Sequence, residues 1–489
     1  MLRIIAPIFC LVSYVLIRRI CKAQIPVPPS VGALQGVKEY RWMLYATYSK
    51  KLGPLISGPS MANTSVIIIN TRDAVFDLLE KRGIAFACRP SWPMAELLGR
   101  QNNVGFTYYG ERLKKLRKVL QRSLNLRTVS TSWRDLLDER SRELCFALLR
   151  SPTQWNDILE SKIQELIVLF SYGHEPTPEY IKLAKTIMHQ TGEAFQPGRW
   201  AVNFIPVLKW IPAWFPGAGF QKWARESRKL FFEVTRQPFY DLKNERVPGN
   251  IQQSFVQQNL ESLSKTPHSI EDEDVIMFAA GSLFSAGTET LTVVFLNFIA
   301  LMVNHPEIQQ RAFDEIQARL SSEQLPDLRQ RDSLPFIDCI IQEVHRMYPP
   351  IPLIPHSNTH EEQYNGYKIP KKSWVMANVW AMLHDDKVYS EPEKFLPQRF
   401  EGQDPAPDPR VLTYGFGRRR CPGLHFADLY IYLLVSRVLT LFEIAPCLED
   451  NKPVLKFTPG LVAFPKPFAC RLIPRKSALE ILKKSEEML

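Results

Sequence analysis

One cysteine in this chain has neighbours that change its chemistry. Residues 414–423 read YGFGRRRCPG, with three glycines, three consecutive arginines and a proline around Cys421. Gly415, Gly417 and Gly423 allow tight turns and the close approach of backbone to a flat object. Pro422 suits the first turn of a helix. The stretch behind it, LHFADLYIYLLVSRVLTLF, is strongly helical, so Cys421 is expected at a helix N-terminus beside Arg418, Arg419 and Arg420. Helix dipole and guanidinium charge both favour thiolate over thiol. Such a sulfur could be a nucleophile, a redox sensor or a metal ligand, and the loop alone leaves the three open. The nearest base in sequence is His425. A second pair stands in EVHR, where Glu343 and Arg346 lie at i, i+3 on one helix face and can form an ion pair.

The elements that must position these groups read as a helix-rich body. KEYRWMLYATYSKKLG is helical, TSVIIIN is a strand, and a second helix is expected over residues 74–82. From about residue 110 to 345 the pattern is mainly helical. Short strands are expected at 364–369, 374–377 and 455–472. The fold class is mainly α with small β-sheets, without regular βαβ alternation. Residues 275–303 carry a single charge, Glu289, and are long enough to span a membrane. Ser282, Ser285, Gly287, Thr288 and Thr290 gather around that charge, and EDED precedes the run. These features favour a central helix that is buried on every face. Residues 203–220, NFIPVLKWIPAWFPGAGF, read equally well as a packed connector or as a substrate- or membrane-facing lid.

The 489 residues, 45% of them hydrophobic, suffice for one large core. Eight widely spaced cysteines without a C-x-x-C pair argue against a zinc site and give no disulfide framework. The net charge of +11 suits nucleic acid, a membrane surface or an acidic protein. No nucleic-acid-binding motif is present, which leaves the last two. Residues 1–24 read as a single-pass signal anchor, with the apolar stretch 4–17 followed by Arg18, Arg19 and Lys22. Positive charge on that flank keeps the body cytosolic, and a cleaved signal peptide would carry its charge in front. The stretch is short against the roughly 20 residues of a span, and a buried N-terminal helix is the alternative. Residues 25–30, IPVPPS, make a Pro-rich linker, and 31–489 form the catalytic domain.

YGFGRRRCPG resembles the haem-binding loop of the cytochrome P-450 family, F-x-x-G-x-R-x-C-x-G, on Gly417, Arg419, Cys421 and Gly423. Tyr414 stands where the family usually has Phe, which adds a hydroxyl that needs a partner. The resemblance implies haem b with Cys421 as axial thiolate, whose electron donation favours O–O cleavage. AGTET, residues 286–290, is similar to the family's oxygen-activation motif. It implies that small residues make room for dioxygen while Glu289 and Thr290 relay protons, with Leu291 replacing a second threonine. EVHR matches the family's E-x-x-R and PEKFLPQRF (392–400) its P-x-x-F-x-P-x-R-F. These imply a buried network of Glu343, Arg346 and Arg399 that braces the haem loop. By the same resemblance Arg419, Arg117 and His356 face the haem propionates, although Leu113 replaces the tryptophan usually found with Arg117. Weaker likeness extends from about residue 52 to 474 and includes ACRP (87–90). The proline-rich hinge lacks the family's P-P-G-P core.

The implied activity is that of a haem-thiolate monooxygenase of the endoplasmic reticulum membrane, in the style of fungal, especially basidiomycete, secondary metabolism. NADPH electrons would arrive through a separate flavoprotein reductase, since the chain has no flavin or nicotinamide motif. The substrate class is a lipophilic small molecule such as a terpenoid or polyketide. Its pocket walls are expected from 100–108, 203–220, 283–290, 351–355 and 460–463. Two rivals remain: a reductase-independent isomerase or dehydratase, and a non-catalytic haem-binding sensor. The intact acid–alcohol pair counts against both.

Overall fold

The computed structural model describes the chain except residues 1–24, 33–39, 62–63, 197–198, 245–252, 266, 268, 322–323, 449–452, 479 and 482–489. The expected anchor therefore lies outside the described residues. Helices of twelve or more residues are α1 (Arg41–Leu52), α2 (Glu111–Leu124), α3 (Arg134–Arg150), α4 (Trp155–Tyr172), α5 (Pro178–Phe195), α6 (Gly219–Lys243), α7 (Ile270–Asn304), α8 (Pro306–Arg319), α9 (Pro335–Met347) and α10 (Leu424–Leu441). The strands are β1 (Leu55–Met61), β2 (Thr64–Ile69), β3 (Leu353–Ser357), β4 (Glu362–Tyr364), β5 (Tyr367–Ile369), β6 (Trp374–Asn378), β7 (Phe442–Pro446) and β8 (Cys470–Pro474).

The axis of the molecule is α7, 35 residues long. Ser269 starts it in a capping box with Asp272, and Glu271, Asp272 and Glu273 fill its first turn, where the helix dipole favours acids. It packs against α2, α4, α6, α9 and α10. Among the described residues, α7 and α10 are long and apolar enough to cross a membrane by length and composition, yet both are mostly buried within the protein. They are core helices. Gly281 and Gly287 let the neighbours in, since a Cβ at either would stand 2.7 Å from Thr235 or 2.8 Å from Ile167. Gly287 thus makes room for α4.

The larger sheet has the order β1-β2-β6-β3, with β2 and β6 parallel and the other pairs antiparallel. Alternation along β3 buries Ile354 and His356. β4 and β5 form a small hairpin, and β7 pairs with β8. Of the short strands expected within 455–472, the named strand that forms is β8, Cys470–Pro474, which starts near the end of that range. Pro459, Pro465 and Pro467 deny that stretch N–H donors of a sheet, and it forms an isolated bridge between Phe457 and Pro465, with Thr458 N–H on Phe464 O at 2.8 Å and Lys466 N–H on Lys456 O at 2.6 Å. The expected helix at 74–82 begins as α (Arg72–Val75) and continues as a π-turn (Phe76–Lys81). Residues 25–30 dock on the sheet, because Ser57 N–H donates to Pro29 O at 2.7 Å and Lys368 N–H to Pro26 O at 2.8 Å.

A separate small core joins residues 93–98 to 194–224, built on Met94, Leu98, Ala194, Val202 and Ala224. Buried Asn203 ties it together, accepting from Met94 N–H at 2.9 Å and donating to Ala194 O at 3.0 Å.

Candidate active site

The cysteine loop is held by sterics and one backbone bond. Gly415 and Gly417 have φ of +76° and +49°, a region that L side chains rarely adopt. A Cβ on Gly417 would also stand 2.3 Å from Leu79 O, so the loop tolerates only glycine there. Cys421 N–H closes the turn on Tyr414 O at 2.7 Å. α10 begins at Leu424 with Gly423 as its N-cap. Pro422 thus lies just before the helix rather than in its first turn. Gly423 has an ordinary φ of −87°, and a Cβ added to it would stand 3.9 Å from the Cys421 sulfur, an ordinary contact.

In the protein alone, burial pushes the Cys421 thiol above its ordinary value, against the lowering by the Gly423 and Leu424 N–H groups and by Arg117. Sequence reasoning saw the helix end and the charge but not the burial, and so expected the opposite sign. The sulfur is still solvent-accessible although protein surrounds the residue, which places it on the wall of a recess.

The facing wall is α7. Ala286 is exposed in the middle of this otherwise buried helix, with Ser285, Glu289 and Thr290 half-buried beside it. Residues 101–108 join the two walls. Val104 N–H donates to Ser282 Oγ at 3.1 Å, while Arg419 Nη2 donates to Thr107 O at 2.6 Å. Cys421 and the 285–290 face therefore share one recess. Thr290 Oγ1 donates to Ala286 O at 2.7 Å. Burial raises the Glu289 carboxyl from 4.5 to about 7, so near neutrality it can both hold and release a proton. Leu291 points into the core and is 3% exposed.

At the recess edge stand four basic groups. Arg419, 7% exposed, donates Nε to Ala87 O at 2.6 Å. Arg117 Nη2 donates to Arg420 O at 2.7 Å, beside the cysteine. His356 donates Nδ1–H to Phe86 O at 2.9 Å, which fixes its tautomer and leaves buried Nε2 without a partner among the described residues. Arg89 was missed by the sequence reading, which noted ACRP only as weak likeness. It donates Nε to Gly105 O at 2.8 Å and Nη1 to Pro355 O. Burial and mutual repulsion depress these bases, Arg419 to about 8, Arg89 to about 10 and His356 to about 3. Their hydrogen-bond acceptors are neutral carbonyls, and among the described residues none of the four pairs with a carboxylate. Three guanidinium groups without a carboxylate, beside a neutral imidazole with a free Nε2, call for an anion.

Behind the loop lies a buried ion cluster. Arg346 grips Glu343 with two bonds, Nε–Oε2 at 2.7 Å and Nη2–Oε1 at 2.8 Å, both side chains 0% exposed. Arg399 Nε reaches Glu343 Oε1 at 3.2 Å, and Leu396 N–H donates to the same oxygen at 2.9 Å. Arg346 also donates to Leu383 O, Pro392 O and Lys394 O, which fixes the segment before the cysteine loop.

These residues fit haem. Among them no three His, Cys, Asp or Glu side chains gather as a metal site of the described protein. A metal in this recess would bring its own equatorial ligands and ask for one axial donor, and a dianionic edge would meet Arg89, Arg117, Arg419 and His356. Fold and recess together define an oxidoreductase of the haem-thiolate class. The chain belongs to the cytochrome P450 family, whose sequence pattern matches residues 25–471. It is 32% identical to cytochrome P450 monooxygenase ppsD of Aspergillus oryzae, over 94% of this chain and 90% of that protein. It is 31% identical to cytochrome P450 monooxygenase claR of Ampulloclitocybe clavipes (93% and 86%) and 30% identical to tryptamine 4-monooxygenase of Psilocybe cyanescens (96% and 97%). A zebra fish cytochrome P450 structure with progesterone superposes with a TM-score of 0.75 at 24% identity, covering 89% of this chain and 99% of that one. The three fungal relatives are named monooxygenases, and the chain is an oxidoreductase of that kind.

Proposed function

We propose that the protein inserts one oxygen atom from dioxygen into a C–H or C=C bond of a lipophilic small molecule of fungal secondary metabolism, such as a terpenoid or polyketide. The observation that carries this reading is the pairing, across one recess, of the exposed Cys421 with a half-buried carboxyl–hydroxyl pair. Cys421 would hold the haem b iron, with Arg89, Arg117, Arg419 and His356 at its propionates. When bound, that group supplies dioxygen activation. The chain's own residues handle protons and access. Glu289 takes protons from water and passes them toward the Thr290 hydroxyl, which exchanges its bond to Ala286 O for one to a positioned water. An isomerase, a dehydratase or a haem sensor would have no use for this relay. Exposed Arg418 and Arg420, with Lys114 nearby, offer a basic face beside the cysteine loop for an acidic NADPH-dependent flavoprotein reductase.

The test is product formed per NADPH consumed, with reductase supplied. Thr290→Ala is expected to keep substrate binding and to divert electrons to hydrogen peroxide, lowering coupled turnover by roughly 10²–10⁴-fold. A mutant as well coupled as the parent would remove Thr290 from the relay. The pH profile supplies the second arm. Because Glu289 holds its proton more tightly folded than unfolded, its neutral form dominates below about 7 and is lost as pH rises through that value. Coupling should fall over the same window, and the folded state should lose stability between 4.5 and about 7. Glu289→Gln should flatten both dependences, and an unchanged pH profile would contradict the assignment.

The protein is also proposed to sit on the endoplasmic reticulum membrane, with residues 1–24 as anchor and the body cytosolic. The small core described above supports a second contact. It turns Val207, Trp210 and Trp214 outward at 67%, 76% and 79% exposure, beside Ile205 and Phe215. Lys209 lies 5.1 Å from the Trp210 ring. An exposed apolar patch with tryptophans and a cation suits a lipid interface. The segment 203–220 thus packs through Asn203, Ala213 and Ala218 while presenting its tryptophans outward, which supports a membrane-facing role. Protein lacking residues 1–24 should still bind vesicles, and Trp210→Ser/Trp214→Ser in that background should weaken binding by about 10–100-fold. Vesicle flotation measures it, and equal binding of the two proteins would discard the patch.

A further inference from the structure

Beneath the cysteine loop lies a set of polar atoms that the proposed reaction does not use. Tyr414 Oη, Thr413 Oγ1 and both ring nitrogens of His345 are buried without hydrogen-bond partners among the described residues. The Tyr414 and His345 rings lie 5.5 Å apart, centroid to centroid, inclined at 50°. His345 is 2% exposed and sits on α9 between Glu343 and Arg346, the residues of the bracing cluster.

The charged groups around this pair are already engaged. Arg410 bonds Asp338 and Asp428 at 3.0 Å and Asp408 at 2.9 Å, and Arg331 bonds Asp338 at 2.7 Å and Asp428 at 2.6 Å. These acids come from α9, α10 and the segment before the loop, and two arginines satisfy all three. Burial keeps His345 neutral, with its pKa near 4. A neutral imidazole offers one donor and one acceptor, and a phenol offers both as well. Buried polar groups this numerous are rarely left unpaired, and a buried water commonly joins such sites with two to four bonds.

We propose that Tyr414 Oη and His345 bind one buried water between them, a polar tie that fastens the cysteine loop to α9. Tyr414 is then a positioning residue for Cys421, since its carbonyl accepts the Cys421 N–H at 2.7 Å. The tie also explains why this chain tolerates a tyrosine where a phenylalanine would leave no hydroxyl to satisfy.

The opposite sign of two outcomes makes this testable in the full-length haem-loaded protein. A hydroxyl without a partner is a liability, so Tyr414→Phe would then raise the unfolding midpoint or leave it unchanged. A bridged hydroxyl predicts that Tyr414→Phe and His345→Leu each lower the midpoint by about 1–3 °C. The double variant should be no worse than the worse single one, because both remove the same bridge. His345→Gln, which keeps a donor and an acceptor, should restore most of the loss. Each destabilised variant should also lose thiolate ligation in its reduced carbon monoxide complex roughly 3- to 10-fold faster. Additive effects, or a stabilised Tyr414→Phe, overturn the water tie. Lower midpoints with an unchanged rate of ligation loss overturn the positioning role. The unfolding arm is independent of the proposed reaction, so its failure and that of the monooxygenase reading are told apart.

Discussion

Glu343→Ala is expected to yield a chain that fails to hold its cysteine loop. The carboxylate takes two bonds from Arg346, one from Arg399 and one from the Leu396 N–H. Removing it leaves two guanidinium groups in the interior, with side chains 0% and 6% exposed, without their counter-ion. Breaking a buried pair in this way costs about 3–5 kcal/mol, a large share of the roughly 5–15 kcal/mol that holds a typical domain together. The damage is directional as well. Arg346 no longer fixes Leu383, Pro392 and Lys394, whose carbonyls it bonds, and the chain leading into the loop is freed. Glu343→Gln keeps the shape and one acceptor oxygen and should fall between the two. Thermal unfolding and the ratio of haem to protein after purification measure both effects. Parental values for Glu343→Ala would show that the cluster is dispensable.

How far the sequence carried this account depends on how local each feature is. The cysteine loop, the Glu343–Arg346 pair and the Glu289–Thr290 pair each lie within a few residues, and their spacing is visible in one line of text. Arg399 joins Glu343 across 56 residues, and only the likeness to a known motif linked them beforehand. The cation cluster is less visible still. Arg89 reaches its neighbours through carbonyls on Gly105 and Pro355, and nothing about an arginine beside a proline announces that. Burial is the quantity that sequence conveys worst. It reversed the expected shift of the Cys421 thiol and set Glu289 near 7. It also gave Gly287 a packing duty against Ile167 that its place in AGTET does not announce. Conversely, the acids before residue 275 pointed to α7 as a helix buried within the protein, because an N-terminal charge cluster is a local signal with a local cause.

Cys421→Ala is expected to have the largest effect of all, complete loss of turnover. Among the described residues, Cys88, Cys145, Cys339, Cys447 and Cys470 lie outside the glycine-held loop, so none of them stands in for the sulfur there. The variant should still fold, since the sulfur is accessible and its side chain supports none of the core packing around it. The anionic edge would keep Arg89, Arg117, Arg419 and His356, so some haem should remain bound but without thiolate. The most direct measurement is therefore the absorption of the reduced protein with carbon monoxide, parent against Cys421→Ala. The parent should show the long-wavelength Soret band that is diagnostic of thiolate ligation, and the variant should lack it while retaining a shorter-wavelength haem band. A parent without the long-wavelength band, or a variant that keeps it, would contradict the assignment of Cys421 as the axial ligand.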